Sequence, residues 1–311
     1  MRKRISIVIP CFNERQVIEK TYDTLLNTRL GDYDIEYIFV DDGSRDGTPE
    51  ILRRFAEINK DVKVVCFARN FGHQCAVSAG IAEAMGDAAV IIDADLQDPP
   101  AVIVEMIKRW EEGYQIAYGK RTRRKGESIF KKLTAWIFYR FLAMMGGAYI
   151  PRDTGDFRLI DRKVIAFLNS IPEHNRFLRG LTAWAGFPSC AVEYVRDERA
   201  AGETKYTVKK MFRLAGDGIT AFSDKPLKLP MYAGAALLPT SFAYLILSII
   251  LAALGKWGIS HVLFAAVFII LSVILLSLGI MGMYLSRVYD EAKGRPMYII
   301  REKINIPEEN V

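Results

Sequence analysis

Four short runs of β-branched and aliphatic residues alternate with helical stretches along the first third of the chain, and this order constrains the fold most. The runs cover residues 5–9, 35–40, 62–67 and 88–92, and the helical stretches cover 14–27, 48–59 and 75–85. Such alternation predicts right-handed βαβ units and an α/β fold with a mostly parallel sheet. Ligands of these sheets bind at the carboxyl ends of the strands.

Each of the four predicted strands ends in polar or turn-forming residues. These segments are Pro10-Cys11-Phe12-Asn13-Glu14, Asp41-Asp42-Gly43-Ser44, Arg69-Asn70-Phe71-Gly72 and Asp93-Ala94-Asp95-Leu96-Gln97. Any one of them could be an ordinary loop, but four at successive strand ends predict a crevice.

Asp93 and Asp95 stand one residue apart directly after a strongly apolar strand. Hard carboxylate oxygens at such a position can hold a divalent cation against a diphosphate. Taken alone, the pair could equally cap the next turn or helix. We interpret Asp98, which precedes two prolines, as a turn residue.

Two long apolar stretches, 230–254 and 261–286, predict two membrane helices. A pair of buried core helices is the alternative, which the length and adjacency of the stretches disfavour. Basic residues flank the pair, whereas the connector 255–260 carries only Lys256, so both chain ends are expected in the cytoplasm. The sequence therefore predicts a multi-pass protein of the cell membrane whose large N-terminal domain is cytoplasmic.

Residues 129–145 and 207–222 mix apolar and basic side chains, as expected of helices in the lipid headgroup layer. Ordinary amphipathic helices packed on the sheet are the alternative. The resulting layout is a domain over 1–228, two membrane helices over 229–288 and a cytoplasmic tail over 289–311, of which 295–306 could pack back on the domain.

Composition excludes several classes of function. The four cysteines lack metal-ligand spacing, and the three histidines are too scattered for a zinc cluster. A net charge of +6 could suggest nucleic acid, but the basic residues lie beside apolar segments, which favours anionic lipid and phosphate as partners.

The ordered strand ends resemble those of the family 2 glycosyltransferases, which have the GT-A fold, and the resemblance spans nearly the whole chain. Further segments resemble motifs of the polyprenyl-phosphate branch, which includes dolichyl-phosphate mannosyltransferases and bactoprenol glucosyltransferases. They are Tyr118-Gly119-Lys120-Arg121, Thr154-Gly155-Asp156-Phe157-Arg158-Leu159, Arg176-Phe177-Leu178-Arg179-Gly180 and Gly202-Glu203-Thr204-Lys205-Tyr206. The last segment and the two apolar stretches are most similar to the bactoprenol type.

The resemblance implies inverting transfer of a hexose from a nucleoside-diphosphate sugar to a polyprenyl phosphate at the cytoplasmic membrane face. We expect UDP-glucose as the donor and undecaprenyl phosphate as the acceptor. GDP-mannose or a modified UDP-pentose are the alternative donors, since the sequence does not decide base or hydroxyl selectivity.

The resemblance also implies roles for individual residues. Donor binding falls to Pro10, Phe12, Glu14, Val40, Asp42, Asp93, Ala94 and Arg121. Binding of Mg²⁺ or Mn²⁺ falls to Asp93, Asp95 and Gln97, and contact with the acceptor phosphate to Arg124, Arg199 and Lys205. Glu14 and Asp42 could instead be carboxylates at helix starts.

Asp156 and Asp95 are the expected catalytic residues. The resemblance makes Asp156 a base, yet a phosphate monoester has a second pKa of about 6 and hardly needs deprotonation. Asp156 could instead orient the sugar or the arginines that bind phosphate.

Three other classes of protein are alternatives to this function. A processive polysaccharide synthase would carry Gln-x-x-Arg-Trp and more spans, and a NAD enzyme would need Gly-x-Gly-x-x-Gly at the first strand end. The third is an inactive membrane scaffold or sugar-nucleotide sensor. Gly279 and Gly282 could let helices pack closely, either within one chain or in a homo-oligomer.

Overall fold

The computed structural model describes residues 2–123, 154–173, 176–195 and 259–307. These residues belong to two compact units. The first comprises 2–123, 154–173, 176–195 and 295–307, and the second comprises 259–294.

The first unit is built on an eight-stranded sheet in the order β7-β5-β6-β4-β1-β2-β3-β8. Its strands are β1 (Arg4–Cys11), β2 (Asp34–Asp41), β3 (Val62–Phe67), β4 (Ala88–Ile91), β5 (Ile116–Arg123), β6 (Thr154–Asp161), β7 (Ser189–Val195) and β8 (Ile300–Ile304). Its helices are α1 (Ile18–Asn27), α2 (Thr48–Ile58), α3 (His73–Ala82), α4 (Val102–Glu111), α5 (Arg162–Ser170) and α6 (Leu178–Trp184).

The four strands predicted from the sequence form the parallel centre of this sheet. β1 pairs in parallel with both β2 and β4, and β2 pairs in parallel with β3. Every residue of β1 after Arg4 is buried, because helices cover both faces of the sheet and favour a continuous apolar run. The predicted α/β class and the mostly parallel sheet are confirmed.

Antiparallel strands extend the sheet on both sides. β6 runs antiparallel to β4 and β5, while β7 is parallel to β5. The arrangement brings the segment 154–156 at the start of β6 to the carboxyl end of β4. The loop after β4 and the segment 154–156 are far apart in the chain but therefore lie together at the carboxyl edge of the sheet.

Two helix starts differ from the sequence prediction. α1 begins at Ile18 rather than at Glu14, because the backbone N–H of Glu14 donates to Thr48 Oγ1 in the neighbouring loop (3.0 Å). α3 begins earlier than expected, at His73, because Gly72 adopts a φ of 105° that turns the chain into the helix. His73 is thereby placed at the carboxyl edge of the sheet.

The C-terminal segment packs on the first unit, as the sequence suggested for 295–306. β8 adds to the edge of the sheet antiparallel to β3. The side chain of Asn305 donates to the carbonyls of Ala56 (2.6 Å) and Val62 (2.9 Å), and Arg53 pairs with Glu302 (2.8 Å). These contacts anchor the segment beside β3.

The second unit contains α7 (Ile259–Ala292). Large apolar side chains at intervals of three or four residues are exposed along one face of this helix, namely Leu263, Val267, Ile270, Ile274, Leu278, Met281 and Leu285. Among the described residues, none of the helices satisfies the requirements of length and apolar character for a membrane span. The two predicted membrane helices are therefore not confirmed, and 129–145, 207–222 and 230–254 lie outside the described residues.

Candidate functional site

The loops after β1 and β2 are joined by hydrogen bonds. The backbone N–H of Asn13 donates to Ser44 Oγ (2.9 Å), and Asn13 Oδ1 accepts from the backbone N–H of Arg45 (2.9 Å). Asn13 adopts a φ of 54°, which this residue type tolerates better than most. The two strand ends thus form one connected wall of the crevice.

Asp42 connects this wall to the loop after β3. Its carboxylate accepts hydrogen bonds from the backbone N–H groups of Phe71 (2.7 Å) and Gly72 (3.0 Å) and from Asn70 Nδ2 (2.7 Å). Burial raises the pKa of Asp42, although these backbone bonds oppose the shift. The structure therefore gives Asp42 a loop-ordering role at the start of α3, and nucleotide binding by Asp42 stays a prediction.

The other residues predicted for the nucleotide lie at the same edge. Pro10 and Val40 are direct neighbours in the β1–β2 register and are buried, whereas Phe12 projects with 36% of its surface exposed. Glu14 is half-buried. An exposed ring beside a carboxylate can provide an apolar wall and a hydrogen-bond acceptor for a base and its ribose.

The loop after β4 holds Asp93 and Asp95 in an unusual backbone turn. Leu96 adopts a φ of 56°, a strained value for a leucine, and the backbone N–H of Gln97 donates to Asp95 Oδ1 (3.1 Å). The carbonyl of Ala94 accepts from Thr21 Oγ1 (2.6 Å), which ties the loop to α1. Asp93, Asp95 and Gln97 are half-buried. Strain of this kind is typical of functional loops.

These side chains fit a cation of the Mg²⁺ or Mn²⁺ type. Within the described residues no three His, Cys, Asp or Glu side chains converge as a metal cage made of protein alone would require. Mg²⁺ is commonly bound by one or two carboxylates together with substrate phosphates and water. The oxygens of Asp95 and Gln97 suit such an open site, with Asp93 beside them.

His73 lies between the carboxylates at the ends of β4 and β6. Its Nε2 is 3.6 Å from Asp93 Oδ1 and 3.3 Å from Asp156 Oδ2. The sequence gives His73 no role in the site, because the three histidines are too scattered for a zinc cluster. The useful signal was its position directly after a strand-end glycine. The structure makes it the link between two predicted site residues.

Asp156 is held on several sides by side chains that the sequence analysis did not assign to the site. Arg179 donates from Nε to Asp156 Oδ1 (2.7 Å) and from Nη2 to Asp156 Oδ2 (2.8 Å), a bidentate pair. Gln74 Nε2 donates to Asp156 Oδ2 (3.3 Å), and Gln74 Oε1 accepts from the backbone N–H of Leu178 (3.1 Å). The carboxylate is therefore fixed in orientation.

The charges in this cluster shift the pKa values of its members. Burial alone would raise the pKa of Asp156, but the charge and hydrogen bonds of Arg179, followed by His73, hold it well below its ordinary value. Burial would lower the pKa of His73, but the hydrogen bond to Asp156 and the charges of Asp93 and Asp156 raise it to about 9. Burial raises the pKa of Asp93, which the charge of His73 opposes. At neutral pH His73 is consequently a cation between two carboxyl groups.

We expect His73 to make the stability of the protein depend on pH. Because its folded pKa is raised above the unfolded value, its contribution is present below pH ~6.5 and is lost as pH rises through about 9. The side chain is 40% exposed, so solvent screening limits the contribution to about 1 kcal/mol or less. Thermal unfolding with EDTA between pH 6 and 10 should show a falling melting temperature for the native protein and a smaller fall for His73→Gln. Parallel curves for the two proteins would contradict the assignment.

Arg121 lies against the segment 154–156, beside Gly155. Its guanidinium contacts Asp98 and Tyr194, and the Asp98 side chain is only 1% exposed. The interpretation of Asp98 as a turn residue was therefore incomplete, because its carboxylate pairs with a predicted site residue. Arg124, Arg199 and Lys205, predicted to bind the acceptor phosphate, lie outside the described residues.

Comparison with known proteins identifies the family. The family model "Glycosyl transferase family 2" matches residues 6–168, a range that includes most of β1, all of β2 to β6 and most of α5. The chain belongs to glycosyltransferase family 2. The family assignment agrees with the α/β, GT-A-like architecture, and the resemblance stated from the sequence motifs is confirmed.

Individual relatives of this glycosyltransferase extend over nearly its whole length. It is 49% identical to the uncharacterized glycosyltransferase YkcC of Bacillus subtilis over 97% of this chain and 94% of that protein. It is 37% identical to the prophage bactoprenol glucosyl transferase homolog of Escherichia coli over 96% of this chain and 98% of that protein. A solved mannosyltransferase of Pyrobaculum calidifontis, in complex with GDP-Man and Mn²⁺, is 20% identical over 94% of this chain and 86% of that chain, with a TM-score of 0.47.

Proposed function

We propose that this glycosyltransferase transfers a hexose, glucose from UDP-glucose, to undecaprenyl phosphate. One observation carries the proposal: His73 joins Asp93, at the predicted donor and metal loop, to Asp156, at the start of β6. The 37% identity to a bactoprenol glucosyl transferase homolog over almost the full length supports the choice of sugar and acceptor.

In the proposed reaction, the donor lies along the ends of β1, β2 and β4. An oxygen of the acceptor phosphate attacks the anomeric carbon from the side opposite the diphosphate and inverts its configuration. Phe12 and Glu14 contact the base and ribose, and Asp93 accepts a hydrogen bond from the sugar or ribose. A bound Mg²⁺ or Mn²⁺ would neutralise charge on the departing nucleoside diphosphate.

Asp156 acts in this proposal by orientation rather than as a base. Its bidentate pair with Arg179 and its lowered pKa make it a weak proton acceptor. The acceptor phosphate carries its own negative oxygen at neutral pH, so the reaction requires no proton removal from it. Asp156 instead fixes Arg179 and His73 beside the reacting groups.

We propose that the enzyme acts at the cell membrane, with the α/β unit and both chain ends in the cytoplasm. The apolar stretches 230–254 and 261–286 and the flanking basic residues support this location. The exposed apolar face of α7 is compatible with contact to lipid. A polyprenyl phosphate acceptor would be reached from this location without leaving the bilayer.

A panel of labelled donors tests the proposal. Purified full-length protein is incubated with undecaprenyl phosphate, Mn²⁺ or Mg²⁺, and UDP-glucose, UDP-galactose, GDP-mannose or a UDP-pentose, and lipid-linked label is measured. We expect label from UDP-glucose at a rate at least about tenfold above any other donor, since hydroxyl recognition discriminates strongly.

Product from GDP-mannose or a UDP-pentose alone would retain the mechanism and correct the sugar. Absence of lipid-linked product from every donor, with tight binding of a nucleotide sugar, would instead favour the sensor or scaffold function.

A further inference from the structure

Tyr194 and Arg121 are held opposite each other by the sheet. They are direct partners in the parallel register between β7 and β5. Arg121 Nε donates to the Tyr194 hydroxyl oxygen (3.2 Å), and that hydroxyl in turn donates to Asp98 Oδ1. Arg121 Nη2 lies 3.6 Å from the same Asp98 oxygen. The three side chains form one network.

The three side chains of this network are largely buried. The Asp98 side chain is 1% exposed, Tyr194 is 6% exposed and the Arg121 side chain is 14% exposed. Burial would lower the pKa of Arg121, but the charge of Asp98 and the contact with Tyr194 raise it. Arg121 is therefore a buried cation with a dedicated counter-ion, which is costly to displace.

Two glycines of the sequence motifs make room for this network. A Cβ atom at Gly119 would lie 2.8 Å from Tyr194 Cε1, so the tyrosine ring occupies the space over β5. A Cβ atom at Gly155 would lie 2.6 Å from Arg121 Nη2, so the guanidinium rests against the backbone of Gly155. The glycines of the segments 118–121 and 154–159 serve the same arrangement.

The position of the Arg121 guanidinium indicates which group it binds. Asp98 is three residues after the predicted metal ligand Asp95, and Gly155 directly precedes Asp156. Arg121 is thus held between the loop for the donor diphosphate and the segment beside the proposed acceptor. A guanidinium fork binds phosphate oxygens in two parallel hydrogen bonds and depends on correct orientation.

We propose that Asp98 and Tyr194 are positioning residues, which hold the Arg121 guanidinium beside Gly155 so that it binds a phosphate group of a substrate. This inference rests on the proposed function, because it takes the reaction to join a diphosphate donor and a phosphate acceptor. Preorganisation of the arginine reduces the ordering cost when the phosphate binds.

A double-mutant cycle tests the inference. Transfer is measured for the native protein, Tyr194→Phe, Arg121→Lys and the double variant. Tyr194→Phe keeps the ring that packs edge-on against Phe157 at 5.7 Å and removes only the hydroxyl. We expect kcat/KM to fall about tenfold for Tyr194→Phe and about a hundredfold for Arg121→Lys. The double variant should be no worse than Arg121→Lys, because lysine no longer uses the tyrosine hydroxyl.

Tyr33→Phe is the matched control. The Tyr33 hydroxyl also donates to a carboxylate, that of Glu111, but Tyr33 precedes β2 at the opposite edge of the sheet. This variant should retain native kcat/KM. A raised KM for the nucleotide sugar in Tyr194→Phe would assign Arg121 to the diphosphate, and a raised KM for the lipid would assign it to the acceptor. The positioning role would be overturned if the two losses of kcat/KM multiply in the double variant. An unchanged rate for Tyr194→Phe would overturn it as well.

The positioning role can be tested even if the proposed function is wrong. If the native protein transfers no sugar from any donor, binding of UDP with Mn²⁺ and of undecaprenyl phosphate is measured for the same four proteins. The positioning role is supported if either ligand binds more weakly to the single variants and the two losses of affinity do not multiply in the double variant. Unchanged binding of both ligands in Tyr194→Phe overturns it.

Discussion

Replacing Asp95 with alanine should reduce sugar transfer by at least about a thousandfold while leaving the fold intact. Asp95 is half-buried, and its carboxylate lies in the strained loop that closes over the end of β4. Loss of its oxygens would remove a proposed metal ligand and leave the charge of the departing diphosphate unneutralised. Transfer is measured as lipid-linked label at saturating Mn²⁺, and folding is checked by circular dichroism.

Asp32→Ala is the matched control for this substitution. Asp32 also carries a carboxylate, but it lies before β2 at the opposite edge, with its side chain 81% exposed and paired with Arg2. We expect native transfer from Asp32→Ala. Full activity of Asp95→Ala would show that the metal assignment is wrong.

Replacing Asp156 with asparagine should reduce the rate by about a hundredfold or more, because a small misplacement of positioning groups is costly. The substitution removes the negative charge between Arg179 and His73 and breaks the bidentate pair. Removing one partner of a buried pair also lowers the free energy of unfolding by about 3–5 kcal/mol. Folding is therefore measured beside the rate.

The pH profile distinguishes orientation from proton abstraction by Asp156. Since its pKa lies well below the ordinary value, Asp156 remains ionised from mildly acidic to alkaline pH, and its stabilising charge is lost only as pH falls through that low pKa. We expect the native protein and Asp156→Asn to give profiles of the same shape on the acidic side. Any difference on the alkaline side should follow His73, because Asp156 helps to raise its pKa.

Asp161→Asn provides the control on the same strand. Asp161 is at the other end of β6, where it accepts hydrogen bonds from the backbone N–H of Lys163 (2.9 Å) and from Trp110 Nε1 (2.7 Å). The transfer rate and pH profile of Asp161→Asn should equal those of the native protein. A native profile with an acidic ionisation that disappears specifically in Asp156→Asn would support a base instead.

The sequence predicted the parallel centre of the sheet because β-branched runs and helical periods are local signals. It also predicted which strand ends carry polar residues, since a parallel sheet brings those ends together. The antiparallel pairing of β6 with β4 could not be read in this way, because it depends on contacts between distant segments.

The side chains that contact the predicted site residues could not be predicted from the sequence. His73 and Arg179 reach Asp156 from α3 and α6, 83 and 23 residues away in the chain, and neither distance leaves a pattern in the sequence. Asp98 appeared to be a turn residue because its neighbours are prolines, and only the fold brings it to Tyr194. Burial and charge pairing of this kind depend on the tertiary structure, which brings distant segments of the chain together.

We propose that the carboxylates after β4 bind a cation that also binds the donor diphosphate. The most direct test is a crystal structure of the full-length protein with UDP and Mn²⁺, in which anomalous scattering locates the metal. We predict a Mn²⁺ peak about 2.0–2.6 Å from oxygens of both Asp95 and the diphosphate. Bound UDP with its diphosphate remote from Asp95, or a Mn²⁺ peak that contacts neither Asp95 nor the diphosphate, would rule out this metal site.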